Sequence, residues 1–142
     1  MTVLELAEKN KNGLVARALE FAKIAHQKQM RLNGESYFNH CLETAETLNR
    51  WHMDKETIAA GLLHDTLKHN TATESELKEK FGEDVAFLVQ GVTKLGLLKY
   101  HGTQAKIENI RKMILSLSHD LRIVFIKLAN RLHNLKTLNV LP

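Results

Sequence analysis

The stretch "GLLHDTLKH", residues Gly61–His69, places a histidine and an aspartate side by side directly after an apolar run. On an α-helix, which turns about 100° per residue, the polar side chains of this stretch share one side and apolar side chains cover much of the rest. We therefore predict a helix surrounded by core with one polar window. A buried, ionised carboxylate is costly without compensation, so Asp65 needs a cation, a metal or several hydrogen-bond donors. The alternative is that His64 and Asp65 are lightly solvated residues at a helix end.

The sequence on both sides of this stretch is helical in its periodicity, and no segment alternates with the period of a β-strand over more than a few residues. Capping signals and glycines divide the chain into eight predicted helices. These begin with a short helix from Thr2–Glu5 to Asn12–Gly13 and continue at Leu14–Met30, His40–Trp51, after Asp54, Thr73–Phe81, Glu83–Lys94, Thr103–Leu117 and Leu121–Leu138. We predict an all-α fold of about seven or eight helices.

Composition limits the class of protein. A chain of 142 residues with 44% hydrophobic and 25% charged residues is typical of one globular domain, here residues 1–142. Its single cysteine, Cys41, cannot form an internal disulfide, which favours the cytoplasm. No apolar run approaches the roughly 20 residues that cross a bilayer, so we expect no membrane partner. No charge run or low-complexity tail precedes Pro142, so we expect more chain to follow it.

The net charge of +4 favours an anionic partner, but the basic residues are scattered along the sequence. Nucleic-acid-binding proteins usually cluster Lys and Arg on one face. The charge pattern therefore gives weak support to a phosphate-bearing ligand and argues against a nucleic-acid partner.

The last predicted helix carries a narrow polar stripe of Lys127, Asn130, Asn134 and Thr137. Its main apolar face is formed by Leu121, Val124, Phe125, Leu128, Leu132 and Leu135, and a second apolar edge by Ile123 and Ile126. Because apolar residues lie on two sides, we predict that the stripe faces the protein interior, with Arg131 and His133 just outside it. The alternative is a solvated face, but such faces favour Glu and Lys over Asn and Thr.

A third polar cluster surrounds a glycine turn in "RLNGESYFNH", where Arg31, Glu35, Tyr37 and His40 lie close in sequence. Taken alone, His40 is typical of a capping or surface histidine. Taken with the other clusters, His40, His64, Asp65 and an oxygen from the last helix would offer two imidazoles and two oxygens. That set suits a divalent transition metal.

Four ordered segments give the sequence a specific resemblance. They are "AHQKQMRLNGESYFNH", "AAGLLHDTLKHN", "FGEDVAFLVQGVTKL" and "IRKMILSLSHDLRIVFIKLANRLHNLKTL". In order and spacing they resemble the N-terminal HD hydrolase domain of the RelA/SpoT homologue family, over roughly Phe21 to Leu138. The resemblance implies an HD-superfamily helical fold and a manganese-dependent enzyme that removes the 3′-pyrophosphate from the alarmones ppGpp and pppGpp. It also implies that a synthetase domain follows in the natural chain.

The resemblance also implies roles for individual residues. Metal ligation would fall to His40, His64 and Asp65, with Asn130 at the position of a fourth ligand. Arg31 would lie against the guanine. The residues near the sugar and phosphates would be Asn134, Lys136 and Thr137. A metal ion held in this way lowers the pKa of bound water, which makes a nucleophile available near neutral pH.

The sequence departs from the family where catalysis is most demanding. Active family members carry a Glu-Asp pair at the positions of Lys68 and His69, and an aspartate at the position of Asn130. Metal should therefore bind more weakly. Because general acid–base catalysis contributes ~10²- to 10⁴-fold in rate, hydrolysis should be slow. His69 could partly replace the acids, and Lys68 could have become the ion-pair partner of Asp65.

Three functions remain open from the sequence. The first is a weakened or inactive HD domain that binds nucleotide or regulates a neighbouring synthetase. The second is an active (p)ppGpp hydrolase in which His69 replaces the missing acids. The third is a helical interaction module whose polar pocket has no ligand.

Overall fold

The computed structural model describes residues 1–27, 36–69, 71–96, 108 and 120–136, and over them the chain is all-α, as predicted. The described helices are α1 (Val3–Lys9), α2 (Leu14–Ala25), α3 (Tyr37–Arg50), α4 (Lys55–Leu63), α5 (Glu74–Phe81), α6 (Glu83–Gly96) and α7 (Leu121–Lys136). The helix predicted at 103–117 falls almost entirely outside the described residues. None of the described helices combines the length and hydropathy that a membrane crossing requires.

The capping signals in the sequence mark real helix ends. Thr2 and Glu5 form the predicted capping box at the start of α1. Thr73 accepts a hydrogen bond from the Glu76 N–H at 3.1 Å at the start of α5. After α5, Gly82 has a φ of 95°, a left-handed conformation that favours glycine over residues with a Cβ. These ends could be predicted because the donors and acceptors lie within one helical turn.

Three predicted boundaries are wrong. α2 ends at Ala25, so the predicted continuation through His26 does not form. α3 begins at Tyr37, because Ser36 caps it by accepting from the Asn39 N–H, and His40 therefore lies inside the helix rather than opening it. α4 ends at Leu63, so the residues that follow form turns and not the next turn of a helix.

α4 is the central helix of the core. Every residue from Thr57 to Leu63 is buried, and the helix packs against α2, α3, α6 and α7. Gly61 allows α3 to approach closely, since a Cβ there would lie 2.6 Å from Cδ1 of Leu48. The buried end of α4 thus brings the His64–Asp65 pair into the interior.

The polar stripe of α7 faces inward as predicted, but the rest of the helix is oriented differently from the prediction. Its buried apolar side chains are Ile123, Ile126 and Ala129, while the leucine-rich face predicted as its main apolar face is exposed. The exposed fractions are 66% for Leu121, 39% for Phe125, 50% for Leu128, 36% for Leu132 and 65% for Leu135. The physical reason is the polar stripe: burying Asn130 against α3 turns the opposite side of a rigid helix outward.

Arg122 connects the starts of three helices. Its guanidinium contacts Asp54 before α4 at 3.0 Å, Asp84 in the first turn of α6 at 2.8 Å, and Asp120 before α7 at 2.6 Å. The Asp84 contact is bidentate. This network fixes the N-terminal end of α7 against the ends of α4 and α6.

Candidate functional site

Three buried side chains converge at the C-terminal end of α4. His40 comes from the first turns of α3, His64 caps α4, and Asp65 begins the turn after it. One ligand atom from each of the three lies within 4.8 Å of the other two. The structure thus brings together three of the four predicted metal ligands as a group that could hold a metal ion.

His64 is oriented by the backbone. Its Nδ1 lies 2.6 Å from the Gly61 carbonyl oxygen, which can only accept, so Nδ1 carries a proton and donates. Nε2 then faces Asp65, 3.1 Å from Oδ2. Although burial alone would lower it, the pKa of His64 is raised by the Asp65 charge. A histidine held by a backbone carbonyl at one nitrogen, with the other directed at a carboxylate, is a typical arrangement for a metal ligand.

Asp65 is held as an anion despite its burial. The Tyr37 hydroxyl donates a hydrogen bond to Oδ2 at 2.9 Å. Burial alone would raise the pKa of Asp65, but the charge and hydrogen bond of His64 and the Tyr37 hydrogen bond outweigh it and hold the pKa well below its usual range. The carboxylate therefore remains ionised near neutral pH, as a ligand for a cation must.

Asn130 approaches the same cluster from α7. Its Oδ1 accepts a hydrogen bond from Nε2 of His40 at 2.7 Å, and both side chains are buried. The donor set of two imidazoles, one carboxylate and one amide oxygen fits a divalent metal in ligand type. This donor set carries only one formal negative charge. In addition, the His40 nitrogen that donates to Asn130 would need to lose its proton to become a metal ligand.

These side chains form one side of a cavity of about 240 Å³. Its lining contains six of the predicted site residues, which are His40, His64, Asp65, Lys68, Asn130 and Asn134. It also contains Tyr37, Val92, Thr93 and Lys127, which were not among the predicted site residues. Lys127 was visible as part of the polar stripe, whereas Val92 and Thr93 on α6 gave no signal in the sequence.

The remaining predicted site residues do not line this cavity within the described chain. His69 packs against Tyr37, with ring centroids 4.8 Å apart, and against His26 at 5.9 Å. Lys136 is the exposed last residue of α7. Arg31 and Thr137 lie outside the described residues.

His133 is a contact that the sequence did not reveal. It is buried, and its ring centroid lies 4.8 Å from that of His40. On the helical wheel it falls beside the polar stripe rather than within it, so only the rotation of α7 about its axis brings it inward.

Comparison with known proteins identifies the family of this chain. A family model described as "HD domain" matches residues 18–142. The chain belongs to the HD domain family. Its relatives include the guanosine-3′,5′-bis(diphosphate) 3′-pyrophosphohydrolase of Aquifex aeolicus, 52% identical over 87% of this chain. The corresponding enzyme of Haemophilus influenzae is 46% identical over 84%, and the GTP pyrophosphokinase rsh of Brucella melitensis is 43% identical over 90%.

The relatives are much longer than this HD domain. The chain spans 18% of the length of the Aquifex and Haemophilus proteins and 17% of the Brucella protein. The resemblance to the HD domain of RelA/SpoT homologues is therefore confirmed over a small part of those proteins.

Proposed function

We propose that this HD domain is the N-terminal, hydrolase-type domain of a longer cytoplasmic protein of the RelA/SpoT type. In this proposal its cavity binds a guanosine alarmone, ppGpp or pppGpp, hydrolyses it slowly or not at all, and serves a synthetase domain that follows in the chain. The names and lengths of its relatives support the proposal.

The observation that carries the proposal is a mismatch within the lining of the cavity. Three of its residues, His40, His64 and Asp65, form a group that could hold a metal ion. Lys68 and Asn130 line the same cavity at positions where an active family member would have carboxylates. A bound divalent ion, which we propose to be manganese, would supply Lewis-acid activation of the pyrophosphate.

The residues of the chain itself explain why turnover should be slow. Asp65 is the only carboxylate among the described residues that line the cavity, and its oxygen Oδ2 already accepts from Tyr37 and faces His64. Its depressed pKa makes it a weak base. With no second carboxylate to accept or deliver a proton, the general acid–base contribution of ~10²- to 10⁴-fold is missing.

The nucleotide contacts are proposed from the resemblance. Asn134 lies on the lining of the cavity, where its amide could bind a sugar or phosphate oxygen. Arg31 would contact the guanine, and Lys136 and Thr137 would lie near the sugar and phosphates. The cavity formed by the described residues is smaller than the ~300 Å³ or more that is typical for a drug-sized ligand, so it suits the phosphate end of the nucleotide.

A second candidate is an active hydrolase that uses His69. Nε2 of His69 is buried and makes no hydrogen bond within the described part of the chain. Burial lowers the pKa of His69, which leaves it neutral and able to accept a proton. Against this candidate, the ring packs on Tyr37 and His26 and does not line the cavity.

The exposed face of α7 favours the third candidate, an interaction module. Apolar side chains recur along this face at the spacing of a helix-packing surface, from Leu121 to Leu135. Such a module would need no ligand in the cavity, so binding of the nucleotide distinguishes it from the first two candidates.

The test combines turnover and binding. The chain is incubated with ppGpp and manganese, pyrophosphate release is measured, and Asp65→Asn gives the background. We expect release close to that background, together with a higher melting temperature when ppGpp is added, because a ligand of the native state stabilises it. Turnover equal to that of a relative with both acids would support the second candidate. No change in melting temperature with ppGpp, with or without manganese, would support the third.

A further inference from the structure

The cavity has an excess of positive charge. Two lysines, Lys68 and Lys127, line it, and the single carboxylate among its described lining residues is Asp65. The histidines of the metal cluster add no negative charge. A cavity with this lining attracts anions more strongly than divalent cations.

Lys68 is not neutralised by an acid. Its side chain is exposed, and it makes no ion pair with Asp65 or with any other acid in the described part of the chain. The ion pair between Lys68 and Asp65, which the sequence had left open as an alternative, is therefore not observed. An exposed ammonium on a flexible stem at the edge of a cavity can reach toward a ligand at little cost.

Lys127 faces the cavity from α7 and is half-buried. Burial lowers its pKa, and the charges of Arg131 and Lys68 lower it further against the opposing effect of Asp65. A partly desolvated ammonium without an ion-pair partner in the described chain, close to a second ammonium, is an unfavourable arrangement. An anion between the two lysines would remove the repulsion and replace it with two attractions.

We propose that Lys68 and Lys127 make the cavity a binding site for a phosphate or diphosphate group that requires no metal ion. This inference rests on the proposed function. It explains how the domain could bind the nucleotide, because the two lysines would neutralise the phosphate charge that a metal ion neutralises in active hydrolases. Asn134 adds an amide on the same lining. Lysine is a common phosphate ligand, acting as a point charge rather than through a fixed geometry.

The experiment uses inorganic pyrophosphate as the probe. Its binding to the chain is measured by calorimetry in excess chelator, so that no divalent metal takes part. We expect binding, and we expect Lys68→Glu and Lys127→Gln each to weaken it by at least tenfold. Lys68→Arg keeps the positive charge and should therefore retain pyrophosphate binding. Because Lys68 is exposed, its variants should fold.

The matched control is Lys11→Glu. Lys11 is exposed in the turn between α1 and α2 and lines no described cavity, so this variant makes the same change in net charge elsewhere. It should leave pyrophosphate binding unchanged. Equal weakening by Lys11→Glu and Lys68→Glu would overturn the proposal, since the effect would then come from overall charge. Binding that appears only when manganese is added would overturn it as well.

The two proposals can fail separately. If ppGpp binds only with manganese, and pyrophosphate does not bind in chelator, the metal-independent site is wrong and the proposed function stands. If pyrophosphate binds in chelator while no guanosine nucleotide binds under any condition, the anion site stands and the proposed function is wrong.

Discussion

Nε2 of His40 donates a hydrogen bond to Oδ1 of Asn130 over 2.7 Å, and this bond joins α3 to α7 beside the cavity. In a metal site both groups would instead face the ion. The neutral amide therefore stabilises the helix contact without adding the negative charge that a divalent ion requires.

Asn130→Asp should increase metal affinity. The carboxylate would keep an acceptor near His40 and add one negative charge to a site whose present formal charge comes from Asp65 alone. We expect manganese to bind at least about tenfold more tightly, or about 1.4 kcal/mol. Titration calorimetry checks this. Asn134→Asp is the control, because it adds the same charge to the cavity lining one turn away from the cluster; equal gains from both variants would show that the position of residue 130 is unimportant.

Restoring the acids should restore hydrolysis in part. Lys68 is exposed and unpaired with an acid, so Lys68→Glu should fold normally, and combined with Asn130→Asp it should raise ppGpp turnover in manganese by about 10²-fold or more. Adding His69→Asp removes ring packing with Tyr37 and His26, which should lower the free energy of unfolding by about 0.5–1.5 kcal/mol. Pyrophosphate release and urea unfolding measure the two effects. A double variant that folds, binds manganese and shows no turnover would contradict the assignment of position 68.

The fold should not depend on a metal. The core around α4 is continuous, and the His40–Asn130 hydrogen bond joins α3 to α7 directly through two side chains. We expect the melting temperature in excess chelator to match that in metal-free buffer and to rise only slightly with manganese. Differential scanning calorimetry tests this. A large loss of stability in chelator would mean that the cluster holds a metal tightly even with Asn130 in place.

Arg122→Gln should destabilise the chain most near neutral pH. The network is partly exposed, with Arg122 at 26% and Asp54 at 47%, so its contribution is about 1–2 kcal/mol rather than that of a buried pair. The Arg122 hydrogen bond holds the pKa of Asp120 below its ordinary value, and so the stabilisation is present above the unfolded pKa of about 3.9 and is lost as pH falls through the folded pKa.

The difference in unfolding free energy between Arg122→Gln and the unchanged chain should therefore shrink as pH falls below about 4. Urea unfolding over a pH series measures it. Arg131→Gln is the control, because Arg131 lies on the same helix, is exposed and makes no ion pair in the described chain. A difference that stayed constant down to low pH would exclude ion pairing as the source.

The sequence predicted the fold well where the deciding interactions are local. The caps at Thr2, Thr73 and Asp54 lie within a few residues of the groups they bind, so they can be recognised in the sequence. The predicted end of α4 is wrong, because the residues after Leu63 leave the helix. There Asp65 contacts Tyr37, and contacts distant in sequence decide the conformation.

The sequence predicted which side chains of the site come together, but not what surrounds them. The family resemblance named His40, His64 and Asp65, which the structure brings together. The helical pattern of α7 correctly predicted that the stripe with Asn130 faces the interior, but it did not predict that the leucine-rich face is exposed. The contact partner of Asn130, His40, is 90 residues away in sequence, so no local pattern could identify that partner.

Because α4 ends at Leu63, Lys68, which lines the cavity, lies on a turn outside the regular helix. A mutation at this exposed position encounters neither helix propensity nor the close packing that constrains Gly61. Evolution could therefore reverse the charge at Lys68 while leaving the scaffold intact. An architecture of this kind allows a lineage to exchange catalysis for ligand sensing in a few substitutions.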